Sequence, residues 1–594
     1  MRLQAINRGV QLLMAGALLA AGAPLLAPLW PTGPLEVAGP AGAEDTDLSE
    51  VVVDARDNLT PAQLDALNQR YGLRLAYNSV YAQDEKLLIS GVTPGEMDGL
   101  LKSLRKDPLV EAAEPLHRFS IPPNEVATAF SLSAGTGGST ARDGKRWRPN
   151  DPLFAKQWNM KLIGAEQAWP RATGKGVVVA VIDTGVAAET DAKCYLAKDF
   201  GETRFVKGYD FVNDDDHPTD DHGHGTHVSG TIAESTNNGE GASGLAFDAS
   251  IMPLKVLDGS GSGTSADIAD AIRFAADHGA QVINMSLGSS MPDPVMHLAC
   301  KYAAKKGVLI VCAAGNSSGR AVGYPAAFPE CMAVSSVGPT GALAPYSSVG
   351  KQVAIAGPGG DKSRGEDAGV LQNTLLDGDP ATDGYYAFQG TSMASPHVAA
   401  AAALVMSKGV KEAGQVRQIL ERAATPKKPK IHFGSGILNA SKSVDLAEDA
   451  TRSSFLRILF ALAAALSGVG LGALRGRSGA VTRFPIFSLG IVMGVLGPDL
   501  VFGWLGFSSP FNILLHSALI PLYLLWEVEG KAVYRFVGAL ALGVALHLGW
   551  DAYNGQAPFP GIVPAHGMPW LWVNTVVGVG VALVAWKRSF TSQS

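Results

Sequence analysis

Val177-Val178-Val179-Ala180-Val181-Ile182-Asp183-Thr184-Gly185 is an unbroken apolar, largely β-branched run that ends in a carboxylate and a turn. A strand that is apolar at every position, rather than at every second one, has both faces covered, and such strands belong to parallel sheets. Comparable runs recur at 251–256, 282–285, 308–311 and 332–337, with helix-like segments between them. The alternation predicts an α/β domain over 150–447 with a doubly wound parallel sheet, and directs attention to polar residues where strands end.

Two further segments carry such residues. His222-Gly223-His224-Gly225-Thr226-His227-Val228-Ser229-Gly230 puts an imidazole at the start of a helix. Gly390-Thr391-Ser392-Met393-Ala394-Ser395-Pro396-His397 puts a hydroxyl at another helix start, among small residues that let a substrate approach. Singly, the three segments read as a turn, a metal or phosphate loop and an N-cap. Together they supply what nucleophilic catalysis requires: a serine, a base to take its proton, and a carboxylate to hold the base in the right tautomer. The chain order Asp, His, Ser is that of subtilisin.

These segments resemble the Asp, His and Ser boxes of the subtilisin-like serine protease (subtilase, peptidase S8) family. The resemblance implies a subtilisin-like fold and an endopeptidase in which Ser392 attacks, His224 acts as general base and then acid, and Asp183 orients it. Val311-Cys312-Ala313-Ala314-Gly315-Asn316 is similar to the family strand whose Asn donates to the oxyanion, here Asn316. Loss of such a donor costs about 10² to 10³ in rate. Ile283-Asn284-Met285-Ser286-Leu287-Gly288 resembles the substrate-pairing strand, and Lys255-Val256-Leu257-Asp258-Gly259-Ser260-Gly261 the edge opposite it. Ser286, Leu287, Gly288, Gly259 and Gly315 are therefore expected to line a protein or peptide substrate. His227 is expected to face inward on its helix, and His397 to be structural.

Toward the N-terminus, Arg2 and Arg8 precede an apolar stretch from 10 to about 30, and small residues Ala41-Gly42-Ala43 follow. This is the layout of a secretory signal peptide over 1–43, long enough to serve instead as a signal anchor. Residues 44–120 read as a strand, a Thr60-Pro61 helix start, a strand within 73–90, a Thr93-Pro94 helix start and a closing strand. That order predicts a small ferredoxin-like α+β domain. It resembles the inhibitory propeptide of the same family, and Val110-Glu111-Ala112-Ala113-Glu114-Pro115-Leu116 resembles the tail that occupies the cleft. Residues 121–149, rich in Ser, Gly, Thr and Ala, form a flexible linker, and self-cleavage is expected within 118–150.

Between 210 and 221 lie six carboxylates in twelve residues. A solvated loop is one reading. Hard oxygen ligands for Ca²⁺ at Asp210, Asp214, Asp216 and Asp220 are the other, since some subtilases bind calcium in the corresponding loop. Asn237 and Asn238 lie in a loop that carries another family calcium site, though the spacing departs from the pattern by one residue. Of the four cysteines, Cys300 and Cys331 are candidates to pair in an oxidising compartment, Cys312 reads as a packed thiol and Cys194 stays alone.

Charged residues are 17% of the 594, but only thirteen fall in 451–594. Five apolar stretches there, near 454–474, 486–506, 511–527, 533–551 and 569–586, predict an all-α transmembrane bundle. Arg475, Arg477, Arg483, Lys531, Arg535, Lys587 and Arg588 would share one side, opposite Arg452 and Arg457. Positive residues stay in the cytoplasm, so the domain over 150–447 is expected outside a bacterial-type cytoplasmic membrane, with the lipid bilayer as a partner. Asp499, His516, His547 and Asp551 would come to one depth and could hold Zn²⁺ or another divalent metal. Their surroundings weakly resemble bacterial inner-membrane metal-dependent hydrolases, which leaves a second reading: a protease-like binding module serving such a membrane enzyme. A net charge of −6 without a long basic run makes nucleic acid an unexpected partner.

Overall fold

The computed structural model describes residues 46–121, 128–130, 141–142, 146–190, 194–452, 521, 531–553 and 564–591. The signal region, and with it Asp499 and His516, lies outside them, as do the side chains of His547 and Asp551.

Residues 46–120 fold as strands β1 (Thr46–Ala55), β2 (Ala76–Tyr77), β3 (Leu87–Gly91) and β4 (Val110–Ser120), with helices α1 (Pro61–Tyr71) and α2 (Met97–Leu104). The strand expected within 73–90 is thus two short strands. The antiparallel order β4-β1-β3-β2 is ferredoxin-like. α1 begins where the sequence says it should: Thr60 Oγ1 accepts from Gln63 N–H and Gln63 Oε1 accepts from Thr60 N–H, a reciprocal capping box. Leu67, Leu101 and Leu104 fill the core between helices and sheet. β5 (Thr128–Phe130) follows in the linker.

The larger domain centres on β6 (Val178–Asp183), β7 (Tyr209–Asp210), α3 (His224–Ala233), β8 (Ser250–Lys255), β9 (Ser262–Thr264), α4 (Ser265–Asp277), β10 (Val282–Met285), α5 (Pro294–Lys305), β11 (Leu309–Ala313), β12 (Cys331–Val337), β13 (Val353–Pro358), β14 (Val370–Leu376), β15 (Asp379–Phe388) and α6 (Thr391–Ser407). The parallel sheet runs β7-β8-β6-β10-β11-β12-β13, so the order reverses beside β6. Clefts form at such reversals, and Asp183 closes β6 there. α6 is buried around its whole circumference from Thr391 to Met406, the mark of a helix through the middle of a core.

The two domains are joined by more than a linker. β9 belongs to the large domain by sequence yet pairs antiparallel with the end of β4, Ser262 with Ser120 and Thr264 with Arg118. On its other side Ser120 exchanges both backbone hydrogen bonds with Gly288, at 3.2 and 3.1 Å. The β4 tail is therefore a strand inserted between two edges of the large domain. α4 and α5 pack beneath it, where Arg273 meets Asp54 at 2.6 Å and His117 Nδ1 meets Asp293 at 2.9 Å.

At the C-terminal end, α7 (Lys531–Tyr553) and α8 (Pro564–Thr591) pack through Val537, Ala541, Val581, Ala582 and Ala585. Among the described residues no helix is long and apolar enough to cross a membrane. The expected five-span bundle is therefore not carried by these two helices, and the stretches before 531 lie almost wholly outside the described residues.

Candidate active site

His224 is the first residue of α3, and Asp183 the last of β6. His224 Nδ1 lies 2.6 Å from Asp183 Oδ1, with both side chains buried. The pair is built by close backbone approach. A Cβ on Gly225 would overlap the Gly185 carbonyl, and Gly223 has φ +102° with the Leu375 carbonyl where a Cβ would stand. The four free N–H groups of a helix start need acceptors, and Gly223 cannot supply one from a side chain. Asp220 does so instead. Its Oδ1 accepts from Gly223 N–H (2.7 Å) and Thr184 Oγ–H (2.8 Å), its Oδ2 from Thr226 N–H (2.9 Å) and Oγ–H (2.6 Å).

Ser392 is the second residue of α6, whose first turns pack against α3 and β10. Pro396 stands four residues on and has no N–H, so the Ser392 carbonyl would go unsatisfied inside the core. Ser286 Oγ–H donates to it at 2.8 Å, and an unpartnered carbonyl there would cost about 1–3 kcal/mol. Ser286 thus turns its side chain to the helix while its own carbonyl accepts from Ser392 Oγ–H at 3.3 Å. Asn316 Oδ1 accepts from both Thr391 N–H and Oγ–H at 2.9 Å, which turns the amide NH₂ branch away from Thr391. Gly315 N–H in turn donates to Thr391 Oγ (3.1 Å).

Two other imidazoles near the cleft are committed elsewhere. His227 is stacked 4.3 Å from Phe388 with Nε2 against the Val370 and Tyr386 carbonyls, and burial pushes its pKa down to about 3. His397 lies between Asn159 and the Met393 carbonyl, and burial lowers it to about 4. Neither is set up to shuttle a proton near neutrality.

A hydroxyl at a helix start, an imidazole fixed by a buried carboxylate and an amide aimed beside them can perform acyl transfer. Thermitase of Thermoactinomyces vulgaris is 37% identical over 300 residues, which is 99% of that protein and 50% of this chain. The chain belongs to the subtilase family. Residues 174–437 match the subtilase family directly, and Subtilisin Savinase of Lederbergia lenta is 36% identical over 285 residues, 96% of its length and 48% of this chain. In structure it is similar to fervidolysin of Fervidobacterium pennivorans, a keratinolytic enzyme related to subtilisin, with TM-score 0.55 and 25% identity, covering 68% of this chain and 62% of that one. This subtilase is a serine endopeptidase with the subtilisin-like parallel α/β sheet.

Several expectations need correction. Gly259 does not pair with the inserted strand. It lies in a turn closed by Asp258 N–H to the Ser262 carbonyl, and the partner of Ile121 N–H is the Gly261 carbonyl two residues on, at 3.0 Å. Leu287 is buried and Gly288 pairs as expected. The acidic loop does not converge. Asp210 accepts from Val212, Asn213 and the Asn213 amide, Asp214 from Tyr209 Oη–H, Asp216 pairs with Lys207, and Asp220 caps α3. Cys300 and Cys331 Sγ are 3.8 Å apart as free thiols.

Carboxylates missed by the sequence reading gather instead beside Asn238. Asp199 accepts from the Asn238 amide (2.7 Å) and Ala242 N–H (3.0 Å), and burial raises it to about 7. Asp151 accepts from Asn237 N–H and Asn238 N–H, and burial raises it as well.

Proposed function

We propose that this subtilase is made as an exported proenzyme in which Ser392 attacks the peptide carbonyl, His224 takes and returns the proton, Asp183 holds the imidazole and Asn316 donates to the oxyanion. Residues 44–120 are its inhibitory propeptide. The observation that carries this reading is the β4 tail, which adds as a strand between β9 and Gly288 in the manner of a bound peptide.

The register says more. Ser120 opposes Gly288 in an antiparallel ladder, and two residues before Gly288 stands Ser286, whose carbonyl faces Ser392 Oγ. Counted onward along the sequence alone, that register would offer the nucleophile the 122–123 bond, which joins two prolines. Its nitrogen is a tertiary amide that carries a ring carbon, crowding the imidazole that must protonate it. The tail is thus a plug that resists cleavage, and the expected self-processing window narrows to 124–150. Replacing Pro122→Leu and Pro123→Ser together is expected to give a new N-terminus at residue 123, read by N-terminal sequencing. A wild-type chain already starting at 123 would keep the register and overturn the plug.

The hold of the propeptide is expected to weaken as pH rises. Burial at its contact with α4 raises Asp54 and Asp267 to about 6 and Asp270 to about 7, against 3.8 for an ordinary Asp. A carboxyl whose pKa is higher in the complex takes up a proton on binding. Its stabilisation is full below about pH 4 and lost as pH climbs through 6 to 7. Propeptide affinity for the processed enzyme with Ser392 blocked by a fluorophosphonate, measured by titration calorimetry, should fall between pH 5 and 8, by about tenfold or more; a flat or rising affinity would refute the assignment.

Calcium, in this reading, sits by Asp151, Asp199 and Asn238 rather than in the 210–221 loop. Raised carboxylates in a buried cluster are what a hard cation relieves. The C-terminal part tethers the enzyme to the cytoplasmic membrane with the protease outside. Support comes from the low charge of 451–594 and from α8, whose outer face exposes Val573, Val576, Leu583, Val584 and Trp586. α7 and α8 meet through Gly538 and Gly578 against Ala585 and Ala545, the small-residue seam of helices that pack in lipid. The Asp499, His516, His547 and Asp551 constellation remains a proposal of that domain alone.

A further inference from the structure

Glu189 and Cys194 share one short stretch of sequence, and His217, more distant, converges with them in space. Their candidate ligand atoms are all within 4.8 Å of one another, and His217 Nδ1 is 2.9 Å from Glu189 Oε2. Tetrahedral Zn²⁺ with metal–ligand distances of 2.0–2.3 Å sets its ligand atoms about 3.3–3.8 Å apart, so the three need only small side-chain adjustments to share one ion.

The backbone beneath them is fixed. Ala188 bridges Leu196 in antiparallel sense and Ala197 N–H donates to the Ala187 carbonyl at 3.0 Å, which sets Glu189 and Cys194 on opposing arms of one loop. Val186, Ala187, Ala197, Phe200 and Leu375 pack as a buried floor under that loop. His217 comes from a second loop, tied to the first by Val186 N–H on the Pro218 carbonyl at 2.9 Å. Glu189 and Cys194 are half-buried and His217 is exposed, so an ion can enter and a water can complete the sphere.

We propose that Glu189, Cys194 and His217 form a binding site for Zn²⁺ or a similarly soft divalent cation, distinct from the catalytic cleft. A thiolate and an imidazole select zinc over calcium or magnesium, which take oxygen. Binding releases the Cys194 thiol proton and leaves three protein ligands plus water around the metal. The ion clips the loop that follows Asp183 to the loop that leads through Asp220 to His224. Its effect is to stiffen that edge of the cleft and protect the two loops from unfolding and self-digestion.

The test uses the full chain carrying Ser392→Ala, which cannot digest itself, with thiols kept reduced. Titration with Co²⁺ is expected to give one equivalent showing a thiolate-to-metal charge-transfer band that Zn²⁺ abolishes by displacement. Cys194→Ser should lose the band altogether, and His217→Ala, an exposed change that leaves the fold alone, should weaken binding at least tenfold. The same Co²⁺ spectrum and affinity in wild type and Cys194→Ser, or no thiolate band in any form, would overturn the proposal. Oxygen-only or membrane-domain binding would give no such band.

Discussion

Ser392→Ala is expected to lower kcat on a peptide substrate by about 10⁶-fold, the size seen when a serine protease loses its nucleophile, while KM changes little. The geometry explains both halves of that expectation. Ser392 Oγ is the hydroxyl that faces the Ser286 carbonyl at the level where a paired peptide chain presents its scissile bond. Peptide binding relies on the edges at 261–264 and 286–288, which the substitution leaves untouched. α6 keeps its tie to Ser286, because the Ser286 hydroxyl bonds the Ser392 carbonyl; only the long 3.3 Å bond from Ser392 Oγ–H to the Ser286 carbonyl is lost. Ser392→Ala should therefore accumulate as the unprocessed proenzyme, with normal melting behaviour. Residual hydrolysis within tenfold of wild type would mean that another group performs the chemistry.

Asp183→Asn is expected to cost about 10⁴ in kcat with the fold preserved. Asp183 is fully buried, and its Oδ1 accepts a hydrogen bond from His224 Nδ1–H while also accepting from Thr184 N–H at 2.8 Å. An amide of the same shape keeps the packing but can present its NH₂ to Nδ1, which forces the proton to the nitrogen that should accept it from the serine. It also removes the negative charge that stabilises imidazolium in a site shielded from water. The loss should ease at high pH if the amide carbonyl partly restores the tautomer, whereas a purely structural fault would lower Tm without altering the pH profile. A change under tenfold at all pH values would remove Asp183 from the triad.

How far the chain could be read in advance depended on whether local pattern carried the information. The uninterrupted run 177–182 and its counterparts announced the parallel sheet, because burial on both faces leaves no room for polar alternation. The Asp, His and Ser segments were legible because each functional residue sits at an element end with its glycines beside it. Ligand geometry was not legible. Asp220 belongs to an acid-rich loop in sequence, yet both its oxygens are spent on α3 and Thr184, and no count of carboxylates reports where each one points. Gly259 and Gly261 differ by one short turn, and only the strand register assigns the second to the tail. Asp151 and Asp199 come from separate loops, and His217 from a different loop than Glu189 and Cys194, so no spacing links them.

In the proposed reading Ser392 carries the endopeptidase chemistry and the propeptide tail covers it until processing. A fluorophosphonate probe with the adduct mapped by mass spectrometry tests it most directly. The expected result is a stoichiometric adduct on Ser392 in the processed enzyme and none in the intact proenzyme. Equal labelling of proenzyme and processed enzyme would contradict the plug, and peptide hydrolysis persisting with no adduct on Ser392 would contradict the mechanism.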